Sequence, residues 1–161
     1  MFEIKFTVEG DKALSKMLQE AGVKVRDMRQ PLSLAAEEYL KRVKQNFKTS
    51  GKTFGEPWKP LSPATIAIKR RLYKQGYSRA IERPLVRKGF LRNSFDYDFK
   101  TKTRVEFFSS VDYANVHQEG ARTKFRGHFV TIPRRVLMKL DNTSQEMILK
   151  TLMNWLETVL K

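Results

Sequence analysis

Leu32, Ala36, Tyr39, Leu40, Val43 and Phe47 recur at helical spacing and make one apolar stripe, with Lys41, Lys44 and Lys48 lying off it. A helix of this length persists in water only when its stripe is covered, so the rest of the chain must provide an apolar surface. Three stretches read as strands that do so. Phe2, Ile4, Phe6 and Val8 alternate with Glu3, Lys5 and Thr7 up to Gly10, which predicts a first strand. Phe95, Tyr97 and Phe99 alternate with Asp96, Asp98 and Lys100; after a turn near Thr101-Lys102, Arg104 to Phe108 completes a β-hairpin. Phe125 to Ile132 predicts one further strand, stopped by Pro133.

Helical signals fill the intervals. Asp11 caps a short helix carrying Leu14, Met17, Leu18 and Ala21, ended by Gly22. Tyr113 to Glu119 predicts another, ended by Gly120. Ile148, Leu152, Trp155, Leu156 and Val159 form a second long stripe, capped by Asn142 or Thr143, with Glu146 completing a capping box to Thr143. The arrangement that buries all these faces is an α+β fold: helices packed on a small, mainly antiparallel sheet of about four strands, ending in a long amphipathic helix. At 161 residues, the expectation is a single domain spanning 1–161.

Charge is distributed unevenly. The chain has 32 Lys and Arg against 17 Asp and Glu, a net of +15. Residues 41 to 92 hold 15 of those bases against only Glu56 and Glu82, while the flanking thirds are near neutrality. Within this middle third, residues 49 to 62 read as a loop anchored by Phe54 and Trp58. Ser62 and Pro63 then open a helix running to about Lys74, with Ile66, Ile68 and Leu72 as its apolar minority and Lys69, Arg70, Arg71 and Lys74 on its outer face. Residues 75–90 have little periodicity and predict an extended or mobile basic arm. With Arg79, Arg83, Arg87, Lys88 and Arg92, the lysine and arginines of the helix make a candidate interface for a partner or for DNA. On residues alone, a solvated face, an acidic protein partner and nucleic acid all stay open.

Catalytic chemistry finds little support. Zero cysteines exclude a thiolate nucleophile and cysteine-ligated metals. His117 and His128 stand at no recognised ligand spacing, and Asp96 and Asp98 read as solvent-facing strand residues, so no metal site, cofactor or catalytic residue is expected. Gly51 to Gly55 lacks phosphate-loop spacing, and no serine sits on a strand-turn-helix elbow. There is no run of about 18 apolar residues and no export signal at the start, so the expectation is a chain kept in the cell that makes it, without membrane contact. Two rival functions remain: a free basic nucleic-acid-binding protein, and a small toxin-type ribonuclease with His117 or His128 as general base.

Four motifs in order carry a resemblance. They are Phe54-Gly55-Glu56-Pro57-Trp58-Lys59-Pro60-Leu61-Ser62-Pro63-Ala64-Thr65; Leu85 with Lys88-Gly89-Phe90-Leu91-Arg92-Asn93-Ser94; Tyr113-Ala114-Asn115-Val116-His117-Gln118-Glu119-Gly120; and Ile132-Pro133-Arg134-Arg135. Together, from about residue 30 onward, the chain resembles the phage virion morphogenesis family, the tail completion and head-tail joining proteins of Mu-like and related phages and prophages. Glu119 stands where the family commonly has Phe, and Pro133-Arg134-Arg135-Val136 where it has a Pro-x-Arg-Pro-like segment. The resemblance implies a structural, non-enzymatic protein that assembles with itself as a ring at the neck or the head-proximal tail end of the virion, after a period in the host cytoplasm. Its partners would be neighbouring neck or tail proteins with acidic surfaces, and DNA in the channel. Phe54 and Trp58 would then anchor their loop, Gly89 would allow tight entry to the Leu91 turn, and Tyr113 with His117 would set one helix face against the sheet, His117 as a hydrogen-bonded packing residue.

Overall fold

A computed structural model describes residues 2–4, 27–76, 81–125 and 127–159, with backbone alone for 2–4 and Phe125. The expected helix from Asp11 to Gly22, and the first strand beyond Ile4, lie outside the described residues. In chain order the elements are β1 (Phe2–Ile4), α1 (Arg29–Lys48), a 3-10 turn (Lys52–Phe54), α2 (Pro63–Lys74), α3 (Phe90–Asn93), β2 (Phe95–Thr101), β3 (Arg104–Ser109), α4 (Tyr113–Glu119), β4 (Ala121–Phe125), β5 (His128–Ile132) and α5 (Asn142–Val159). The fold class is α+β, as the periodicities require. Its strands are divided between two sheets, one three-stranded in the order β1–β3–β2 and one a β4–β5 ribbon.

The chain forms two compact units. Unit 2 holds most of the sheet, and its described parts are residues 3–4, 27–40, 96–108 and 140–159. Leu32, Ala35, Ala36 and Tyr39 of α1 are buried, and Tyr39 meets Phe107 of β3 edge-on at 4.7 Å between ring centroids. Tyr97 of β2 packs on the same Phe107 and places its hydroxyl 2.8 Å from Ser33 Oγ. As the central strand, β3 buries Val105, Glu106 and Phe107 in succession. The Glu106 carboxylate is tolerated there because it accepts from Arg104 at 2.6 Å, with Lys100 at 4.0 Å. Asp96 and Asp98 face solvent as expected.

At α5, Ile148, Leu152 and Leu156 are buried, following the sequence stripe. The cap is Asp141 rather than Asn142 or Thr143: its Oδ1 accepts from the backbone N–H of Ser144 at 2.9 Å and from the Ser144 hydroxyl. One carboxylate oxygen, with more than one lone pair to offer, serves both donors at once.

Unit 1 is built from Met1–Phe2, Lys41–Phe95 and Ser109–Lys139. Its aromatic centre is Phe47, edge-on to Trp58 at 5.2 Å and tilted against Phe95 at 5.9 Å. The single strand expected over Phe125 to Ile132 is instead an antiparallel ribbon pairing Ala121 with Ile132 and Phe125 with His128. Gly127, at φ +83°, sits in the turn. Period-two patterning hid this because most described ribbon positions are exposed, so no burial alternation marks them. Among the described residues no helix is long and apolar enough to cross a membrane.

Candidate functional site

Val136, Leu137 and Met138 are almost completely buried yet belong to neither helix nor strand. Buried irregular backbone must have its N–H and C=O groups satisfied by side chains. Three residues do this for this segment. Asn46 Nδ2 and Trp58 Nε1 each donate to the Val136 carbonyl at 2.9 Å. Gln118 Oε1 accepts from the N–H of Leu137 at 2.8 Å and of Met138 at 3.3 Å, while its Nε2 donates to the Met138 carbonyl at 3.1 Å. Arg135 donates to the Lys59 carbonyl at 3.2 Å, and its own N–H reaches the His117 carbonyl at 2.7 Å. Glu56, beside the buried segment, pairs with Lys139 at 2.8 Å and Arg134 at 2.7 Å, and these hydrogen bonds hold its carboxyl below the usual range.

The first, third and fourth motifs are thereby tied to one another in unit 1, and the second joins through a cleft. This opening of about 440 Å³ is walled by Leu61, Thr65 and Lys69 on one side, by the segment Leu85 to Leu91 on another, and by Tyr113 and His117 on a third. Ser94 closes the second motif, its hydroxyl donating to the Leu91 carbonyl at 2.8 Å and lying 2.7 Å from Ser109 Oγ. Gly89 enters α3 at φ +88°, the left-handed conformation that the tight entry requires. Gly120 is more constrained: at φ +79°, a Cβ there would stand 2.9 Å from Arg134 N and 3.1 Å from Ile132 O. The absence of a side chain lets the third and fourth motifs approach each other.

Several expected roles change in place. Lys69 does not belong to the outer face of α2. It is 8 % exposed, and its ammonium donates to the carbonyls of Arg83 at 2.6 Å and Val86 at 2.9 Å. The long stem packs while the donors satisfy an irregular segment, and burial pushes its pKa down. Ile68, one step round the helix, is exposed instead. Ser62 caps α2 as expected, accepting from Thr65 N–H at 3.2 Å. Arg70, Arg71, Lys74, Arg83, Arg87 and Lys88 are exposed, Arg92 is half-buried, and Arg79 lies outside the described residues.

Phe54 and Trp58 are buried anchors as expected. Pro60 is exposed; Leu61, Thr65 and Pro133 are half-buried, and Arg134 is exposed in its pair with Glu56. On α4 the buried face is Ala114 and Gln118, not Tyr113 and His117. Tyr113 is exposed and meets His117 edge-on at 6.2 Å. The pair at i, i+4 is real, but the inward direction of the helix is set by the residues one position on, whose small and amide side chains fit the buried segment. His117 is half-buried, with Nδ1 lacking a hydrogen-bond partner among the described residues. Burial first, and the Arg135 charge second, push its pKa below the ordinary histidine value. His128 is exposed on the ribbon.

Asn46 and Arg135 lie outside the candidate site residues that the sequence offers. Asn46 carried one faint signal, an amide beside Val43 and Phe47 on an otherwise apolar stripe.

Comparison with known protein families finds the phage virion morphogenesis family matching residues 10–157. No curated protein and no solved structure matches the chain. The match covers nearly the whole sequence, and the motif segments that suggested it converge in one unit through Trp58, Gln118, Gly120 and Arg135. The chain belongs to the phage virion morphogenesis family, and its role is a structural one in the assembly of a phage particle.

Proposed function

We propose that the protein acts in tail completion and head-tail joining, as a subunit of a ring at the neck or the head-proximal end of the tail. The observation that carries this reading beyond family membership is the segregation of charge by unit. The segments Lys41–Phe95 and Ser109–Lys139 contain 21 Lys and Arg against four Asp and Glu, a net of +17; the rest of the chain has 11 against 13, a net of −2, which together restore +15. A compact body so charged repels copies of itself unless a compensating surface is bound. In a closed ring the field repeats around an axis, so the counterpart is either an acidic face of an adjoining neck or tail protein or DNA in the channel.

Electron microscopy of particles made without the chain tests the role: DNA-filled heads and separate tails should accumulate, and complete infectious particles would overturn it. Electrostatic compensation predicts that attachment weakens as salt rises from about 50 to about 500 mM, over which range the Debye length falls well below the separation of exposed charges. Attachment indifferent to salt over that range would remove the charge-based part of the reading. A single-copy stoichiometry in native mass spectrometry of the released neck would remove the ring.

A further inference from the structure

The cleft of unit 1 combines features that the architecture of the buried segment does not use. Its apolar lining comes from Leu61, Leu85, Val86 and Leu91. Two large aromatic rings stand exposed at its edge, Phe90 at 68 % and Tyr113 at 47 %. Exposed aromatics around a concave apolar surface are the side chains that dominate binding energy at protein interfaces. The volume, about 440 Å³, lies in the range of clefts that enclose a bound group rather than surface irregularities.

The lining is also electrostatically one-sided. Lys69, Arg87 and Lys88 contribute to it, and none of the lining residues is Asp or Glu. Of the three protons on the Lys69 ammonium, two go to the Arg83 and Val86 carbonyls, and the third has no acceptor among the described residues. Leu85, in the wall, is held at φ +59°, a left-handed conformation that costs a non-glycine residue about 1–2 kcal/mol. Such strain is retained where the surrounding structure over-determines a conformation, and ligand clamps are among those places.

We propose that this cleft is the docking site for a segment of another virion protein in which a carboxylate side chain adjoins large apolar ones, the carboxylate meeting Lys69 and Arg87 and the apolar groups seating between Phe90 and Tyr113. This rests on the assembly role proposed above and names the chemistry of the partner. Charge chooses the occupant. A second copy would have to bring its strongly basic unit against another, or use its weakly acidic remainder. Nucleic acid presents phosphates on a surface too broad for an apolar cleft and finds its cations among the exposed arginines of α2.

The test places a photo-cross-linking phenylalanine analogue, p-benzoylphenylalanine, at Phe90 and separately at Tyr113, both exposed, in the full chain assembled into particles. The cross-linked peptide is sequenced. A segment of a different virion protein bearing Asp or Glu next to Leu, Ile or Phe is the expected result. That segment is then synthesised with a fluorescent label. Its affinity for the purified chain should fall about tenfold when its carboxylates become amides, and about tenfold for Phe90→Ala, the size of effect that loss of one good interfacial contact produces. Arg122→Ala, on the ribbon away from the cleft lining, should leave it unchanged. Adducts only to a second copy, only to DNA, or none from particles that contain the chain would overturn the docking proposal. Equal affinity for the amide peptide or for Phe90→Ala would do so too. Absence of the chain from purified particles would instead reject the virion role itself.

Discussion

Gln118 offers the sharpest test of how unit 1 is held together. It is 8 % exposed and makes three hydrogen bonds to the backbone of Leu137 and Met138, at 2.8, 3.3 and 3.1 Å. Gln118→Met keeps the length and volume of the side chain but can neither accept from the two N–H groups nor donate to the Met138 carbonyl. Leu137 and Met138 are fully buried, so water cannot replace those bonds without opening the structure. An unsatisfied buried backbone group costs about 1–3 kcal/mol. The 3.3 Å bond shares its acceptor with a shorter one and counts for less, and removing the amide recovers part of its own desolvation. The net loss should be about 2–4 kcal/mol. At about 2–4 °C per kcal/mol for a chain of this size, the melting temperature should fall by about 5–15 °C. Urea unfolding, followed by the fluorescence of Trp58 and Trp155 and by circular dichroism, measures it; coincident transitions license a single free energy. Stability lowered by less than about 0.5 kcal/mol would mean that the 136–138 backbone finds other partners, and the account of Gln118 as its ligand would be wrong.

Four further outcomes are expected. Gly120→Ala adds a Cβ 2.9 Å from Arg134 N at φ +79°, so conformational strain and overpacking combine to a loss of about 2 kcal/mol or more; an unchanged urea midpoint would contradict the close approach. His117 should titrate below 6.5 in NMR. Because its folded pKa is depressed, the unfolded chain protonates first and stability falls as pH drops from about 6.5 toward the folded pKa; a midpoint at or above 6.5 would contradict its burial beside Arg135. Glu56 has its pKa lowered by Lys139 and Arg134, so its contribution is present above the unfolded carboxyl pKa and lost as pH falls through the folded one. With its side chain a third exposed, Glu56→Gln should cost below about 1 kcal/mol at neutral pH, and a larger loss in denaturant unfolding would show that screening was overestimated. Lys69→Met should raise hydrogen exchange across residues 81–88 while α5 is unaffected; unchanged exchange there would mean that the ammonium does not hold this segment.

What the sequence by itself determined is what repeats. The stripe on α1, the alternation of β2, the Ser62-Pro63 start of α2, the Gly120 stop of α4 and the stripe of α5 all show a local period or a cap chemistry, and each has its counterpart in the fold. The ordered motifs likewise pointed to the family. What only the tertiary structure decided is where single side chains point when no period governs them. Lys69 turns inward because two carbonyls far along the chain need donors, and α4 presents Ala114 and Gln118 because a remote extended segment needs an amide beside it. The concentration of charge in unit 1 was likewise only half visible, since that charge draws on two separated stretches of chain. Periodicity is a property of neighbours along the backbone; hydrogen-bond satisfaction of an irregular buried segment is a property of neighbours in space.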